Sequence, residues 1–257
     1  NFLGASRVAN EDKMTMIPST EESESRTNNP APYPLCDFLK YLAGDYKNYI
    51  QEKKDRAEEA YRLYIQALER WKYSEYSHKK VDAIYNYLLK QELVKDLIKA
   101  GVVTITENGF LDEAAKIQGK KYDKYFVRFI IREGMTEQIT EEACWKDPLL
   151  QECFIAYYRS CQKEAELDYV TGRQETPFYL HSKKIRNEED GAKLISSNDD
   201  KNYTFRGRFL NKEQAIVIGG ETSQKIHNAL KWIIRKQGHY YDTLTMVTWE
   251  SNMLQMP

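Results

Sequence analysis

Long apolar runs are missing from this sequence. No stretch approaches the ~20 consecutive apolar residues that a bilayer span requires, and the opening residues do not read as a secretory leader. Both absences predict a cytoplasmic protein with no membrane partner. Cysteine is sparse: Cys36, Cys144, Cys153 and Cys161 form no C-x-x-C pair and have no histidine at zinc-ligand spacing. They read as reduced, packed thiols. The histidines, His78, His181, His227 and His239, are scattered. Phosphate loops, dinucleotide-binding glycine fingerprints, H-E-x-x-H and G-x-S-x-G are all absent. The acids Glu188-Glu189-Asp190 and Asp199-Asp200 are read as exposed turn acids, since a Mg²⁺ site recruits only one or two carboxylates together with water or phosphate. The expectation is a non-enzyme with no catalytic residue, no metal and no cofactor.

Segregated charge is what the chain does have. Between Leu180 and Tyr241 lie 12 of its 38 Lys and Arg residues but only 7 of its 39 acids, a local charge of +5, against −6 for the remainder. A total of −1 therefore hides a polarised molecule. A basic surface attracts polyanions at long range, so this is a statement about partners rather than fold.

Element signals come in runs instead of strict alternation, which favours α+β over a doubly wound sheet. The expected architecture is antiparallel-type sheet segments with a helical hairpin insertion and flanking helices. Residues 1–44 read as a loop-rich opening segment, in which Thr20 to Arg26 and the proline cluster to Pro34 look mobile and Met14 to Ile17 forms a short strand. Residues 45–101 read as helical: Ala57, Tyr61, Tyr64, Ile65, Leu68 and Trp71 recur at helical steps, and a second helix runs from about His78 to Lys99 before Gly101. Residues 102–257 read as an α+β region carrying the basic surface. There, Asn108-Gly109 marks a hairpin between Val102 to Thr106 and Phe110-Leu111. Tyr125 to Ile131 is the strongest strand, and Pro148 opens a helix reaching Glu164. Ala192 to Ile195 and Tyr203 to Phe205 read as strands. Thr222 or Ser223 caps a helix ending at Gln237 before Gly238, and Thr243 to Trp249 closes as a strand.

Three elements of the basic segment bear on chemistry. On a helical wheel, Ile226, Ala229, Leu230, Ile233 and Ile234 share one arc, and Lys225, His227, Asn228, Lys231, Arg235 and Lys236 fill the other, with Trp232 among them. Leu180 to Asn198 alternates bases with small hydroxyl and amide side chains around Gly191, where backbone can approach a partner closely. Tyr203 to Phe209 runs aromatic, base, glycine, base, aromatic. Arginine suits phosphate and guanine, and aromatics stack on bases. Together they favour nucleic acid. A protein-interaction scaffold that docks an acidic partner within an assembly stays open, as does metal-dependent cleavage through Asp199 and Asp200.

Lys183-Lys184-Ile185-Arg186 through Gly191 to Asn198, then Phe205 to Phe209, then Thr222 to Trp232, resemble in order and spacing the large subunit of the CRISPR type I-C (Dvulg subtype) Cascade surveillance complex, in its N-terminal part. Pro34 to Asp37, Tyr41 to Gly44 and Phe126 to Phe129 add fainter likeness, and the Glu/Ser-rich loop from Thr20 to Arg26 departs from it. Members are longer than this chain, so the Asn1 start and Pro257 end read as a fragment. The resemblance implies a non-catalytic, antiviral, cytoplasmic subunit that binds DNA and RNA. Its partners would be target double-stranded DNA, the CRISPR guide RNA, other Cascade subunits and a helicase–nuclease recruited by the complex. It would recognise the target-flanking motif (PAM recognition) in duplex DNA and support R-loop formation, while guide pairing reads sequence. Lys183, Lys184, Arg186, Lys193, Arg206 and Arg208 are then the phosphate contacts. Asn198, with Ser196 and Ser197 beside it, would read base edges, and Lys225, Asn228 and Lys231 would line the same surface.

Overall fold

The computed structural model describes residues 1–26, 29–51, 56–132, 141–162, 164–187, 190–195, 209–210, 214 and 216–249. The fold is α+β, with short antiparallel strand pairs beside helices, and the chain divides into two compact units, Asn1–Cys161 and Gln162–Pro257.

In the first unit, α1 (Glu21–Ser25) stands where the sequence predicts a mobile loop. Thr20 and Ser23 cap it reciprocally, and Glu21 N–H donates to the Tyr158 hydroxyl at 2.9 Å, so local capping and a distant partner fix what composition alone reads as loose. The predicted strand at Met14 to Ile17 is irregular. Strand β1 (Cys36–Phe38) leads into α2 (Leu39–Leu42), and β1 pairs with β2 (Phe126–Arg128). Only three residues of the predicted strand Tyr125 to Ile131 join that ladder; Ile130 bridges to Ala143 instead. Helix α3 (Ala57–Lys72) buries Ala57, Ala60, Tyr64, Leu68 and Trp71, the face that the spacing predicts. Trp71 stacks on Tyr157 at 5.9 Å and meets Phe154 edge-on at 5.3 Å.

The second predicted helix divides into α4 (Lys79–Leu88) and α5 (Leu93–Lys99). Gln91 sits between them at a φ of 53°, a left-handed turn that no helix continues through. The buried Asp45 carboxylate accepts from Val94 and Lys95 N–H groups, both at 3.1 Å, and so caps α5 from a distance. At Asn108-Gly109 the chain does reverse, with Gly109 at a φ of 80°, but a single bridge between Ile105 and Leu111 is all that pairs. Helix α6 (Pro148–Ser160) starts at its predicted proline, with Asp147 as its cap.

Among the described residues, the second unit holds three strand pairs and one long helix. Strand β3 (Glu166–Leu167) pairs with β4 (Gln174–Glu175), β5 (Pro177–Phe178) with β6 (Ile218–Gly219), and β7 (His239–Tyr241) with β8 (Leu244–Met246). Helix α7 (Gly220–Gln237) starts two residues before the predicted caps. Its first turn is closed from outside: Thr222 Oγ1 donates to Asp168 at 2.8 Å, and the Glu175 carboxylate accepts from Thr222 N–H at 3.3 Å. A carboxylate there also suits the positive end of the helix. Ala192 to Ile195, predicted as a strand, is irregular, and Tyr203 to Phe205 lies outside the described residues. The predicted closing strand is shorter, ending at Met246.

Candidate nucleic-acid interface

Sequence places its basic residues on two pieces of the second unit: the segment leaving β5, and α7. Along the segment, His181, Ser182 and Ile185 are buried, Lys183 is half-buried and Lys184 is exposed. Lys184 adopts a φ of 61°. A non-glycine residue holds that conformation only where neighbours over-determine it. Here the buried residues on either side anchor the chain, and the turn lifts the lysine outward.

Helix α7 meets this segment with a face different from the one the wheel selects. Ser223, His227 and Ile234 are buried, Ile226, Leu230 and Ile233 are half-buried, and Ala229 is exposed. At 100° per residue the inward face is rotated by roughly 70° from the centre of the apolar arc. Hydrogen bonding explains the turn. His227 Nδ1 lies 2.6 Å from the Ser223 carbonyl, and Ser223 Oγ lies 2.9 Å from His181 Nδ1. The two imidazoles stack nearly parallel, with centroids 6.0 Å apart. Polar groups that satisfy one another can occupy a core that hydrophobicity alone would deny them. His181, Ser182, Ser223 and His227 are thus members of the site that sequence reasoning did not select. No local spacing announces a pairing across 42 residues.

One predicted cation is bonded at this junction, and two more act on it electrostatically. Lys231 donates to Ser182 Oγ at 2.6 Å, which brings the α7 ammonium beside the residue preceding Lys183. Lys193 acts electrostatically on His181, and Lys183 acts on Lys193. Burial first, then Lys183, push the proton affinity of Lys193 down. Burial, then His227 and Lys193, hold the His181 imidazole down to about 4, so it is neutral at pH 7.

Other predicted contacts are differently engaged. Arg186 forks onto Asp190, with Nε and Nη2 each 2.8 Å from a carboxylate oxygen, and its third nitrogen donates to the Thr243 carbonyl. The Arg186 hydrogen bonds hold the Asp190 carboxyl well below the usual carboxylate range. Asp190 is therefore no free turn acid; it closes the loop around Arg186. Lys225 pairs with Glu221 at 2.6 Å on an exposed face, an interaction of little energy. Asn228 is exposed on the same side, along with Trp232, which is 60 % exposed and carries Lys236 Nζ 4.8 Å above its ring. Ser196, Ser197, Asn198, Arg206 and Arg208 lie outside the described residues, as do Asp199 and Asp200.

Among the described residues no group of three or more His, Cys, Asp or Glu could hold a metal ion, and no helix is long and apolar enough to cross a membrane. What the described site offers is hydrogen-bond donors and positive charge on an α+β unit. The model of the CRISPR-associated protein (Cas_Csd1) family matches residues 3–255, and the chain belongs to that family. No curated protein matches the chain.

Proposed function

We propose that this chain is a non-catalytic, nucleic-acid-binding part of the large subunit of a type I-C Cascade, contacting target duplex DNA beside the guide-paired segment and supporting R-loop formation. Membership of a CRISPR-associated family supplies the setting. The observation that carries the reading is the Lys231 ammonium on Ser182 Oγ, next in sequence to Lys183, which itself acts electrostatically on Lys193. Positive charge at such a junction attracts a polyanion, and phosphates of a duplex present negative charge at regular spacing. Lys184, held outward by its left-handed backbone, extends the same track. Guide RNA, the other Cascade subunits and a recruited helicase–nuclease are the partners this role requires, and the cytoplasm is where it operates.

The test is duplex binding by the 257-residue chain over a salt series. Lys193→Ala and Arg206→Ala should each weaken binding and reduce the log–log salt slope by roughly one unit, the signature of one lost phosphate contact. Unchanged affinity and slope in both variants would sink the assignment. A scaffold docking an acidic protein predicts instead that short random duplexes do not bind.

A further inference from the structure

Helix α7 turns its largest side chain away from the core. Ser223, His227 and Ile234 are buried, and at 100° per residue Trp232 lies about 180°, 140° and 160° from them. The indole is therefore at the outward pole of the helix, where it is more than half exposed. Lys225, Asn228 and Lys236 are exposed within about 40° of that pole. Asn228 stands one turn before Trp232 and Lys236 one turn after, each about 6 Å away along the axis.

The residues that follow repeat the pattern. Tyr240 and Tyr241 of β7, and Trp249 beyond β8, are also more than half exposed. Single apolar residues are ordinary on a surface, but here four aromatic rings emerge between Trp232 and Trp249. From Thr222 to Tyr241 the chain carries Lys225, Lys231, Arg235 and Lys236 and no acid. Lys225 shares its charge with Glu221. Lys236 Nζ stands 4.8 Å from the centroid of the Trp232 ring, and a cation–π contact leaves the ammonium charged. The residue that steadies the indole thus presents positive charge beside it.

Charge and aromaticity together select the occupant. Burial under an apolar protein surface would desolvate these cations, which is costly unless carboxylates meet them. A nucleic-acid strand suits both features, because its bases offer π-faces to the rings and its phosphates offer negative charge to Arg235 and Lys236. In a duplex those base faces are hidden within the stack. A ring on the outward side of a helix reaches them only where a strand is unpaired.

We propose that the outward face of α7 is a stacking platform for unpaired nucleic acid, with Trp232 beneath a base and Arg235 and Lys236 on the flanking phosphates. The inference rests on the nucleic-acid reading and extends it from the duplex to the unpaired strand. Contact with duplex phosphates needs charge alone, whereas contact through Trp232 needs bases.

The test titrates the 257-residue chain with a single-stranded oligonucleotide, an abasic strand of the same length, and a duplex. Trp232→Ala should weaken single-strand binding roughly fivefold to a hundredfold, the range for one stacked base, at an unchanged salt slope. Its affinity for the abasic strand and the duplex should stay within about twofold of the parent, since neither offers a base to stack. Trp232→Phe keeps an aromatic plane and should recover most of the loss. Lys236→Ala should lower the single-strand salt slope by about 0.7, one phosphate contact. Since Trp232 points outward, urea midpoints of these variants should match the parent.

Equal affinity of the parent and Trp232→Ala for the single strand, or an equal loss on the abasic strand, overturns the platform and leaves the duplex reading standing. Base-dependent single-strand binding through Trp232, with no duplex binding, keeps the platform and overturns the duplex reading. A chain that binds no oligonucleotide, but self-associates through Trp232 in sedimentation, overturns both and assigns the face to protein.

Discussion

At the scale of single residues, burial of His181 has a consequence independent of any ligand. Its folded proton affinity is held at about 4 against an ordinary 6.5, by burial first and then by His227 and Lys193. The groups that act on it are His227 and Ser223 from α7, and Lys193. Between these two values the unfolded chain binds a proton that the folded chain refuses, so stability rises with pH there. The contribution is complete above pH 6.5 and is lost as pH falls towards 4. A His181→Gln variant lacks the titration. In urea denaturation from pH 7.5 to 4, the midpoint of the parent should fall relative to the Gln variant, with the change confined to that window. Parallel curves would mean that the imidazole protonates as freely folded as unfolded. No residue count foretells this environment, because the sequence shows four scattered histidines. Arg186 gives the same lesson: its charge was legible, but its commitment to Asp190 depends on a loop closing over four residues.

At the scale of elements, helices with their own capping and spacing were legible and those completed by distant groups were displaced. The inward face of α3 and the proline start of α6 follow from local pattern, because their partners are apolar and interchangeable. Helix α7 differs because Asp168 and Glu175, both outside it, close its first turn. The helix can then begin at Gly220, two residues before any side chain able to cap it. That start depends on glycine for a second reason. A Cβ at Gly220 would overlap the Phe178 ring of β5. Phe178 is itself buried, so the ring has little room to give. Gly220→Ala should therefore destabilise the second unit by about 1–3 kcal/mol, the usual range for overpacking, despite alanine's better helix propensity. Thermal or urea unfolding followed by hydrogen exchange on α7 amides measures it. A neutral or stabilising effect would show that the β5–α7 contact yields easily.

At the scale of the whole molecule, charge segregation was visible from counts alone, whereas which charges are available was not. A basic residue contributes to polyanion binding only if it can give up counterions, and a cation already forked onto a carboxylate has few to give. By that criterion Lys183 and Lys193 are available and Arg186 is not, although all three lie in one basic segment. Each phosphate contact adds roughly −0.9 to the log–log salt slope, about a 3.5-fold loss of affinity between 50 and 200 mM salt. Arg186→Ala should leave that slope unaltered, apart from any loosening of the loop that Asp190 closes. Asp190→Asn should do the reverse: with its carboxylate neutralised, Arg186 becomes free to meet a phosphate, and the slope should steepen by up to one unit while affinity at low salt rises. Measuring both variants in one salt series decides the matter, because a model in which all basic residues contribute equally predicts a shallower slope for Arg186→Ala and no steepening for Asp190→Asn. The sign of the second change is the sharper criterion, since loop damage alone lowers affinity and cannot produce a steeper dependence on salt.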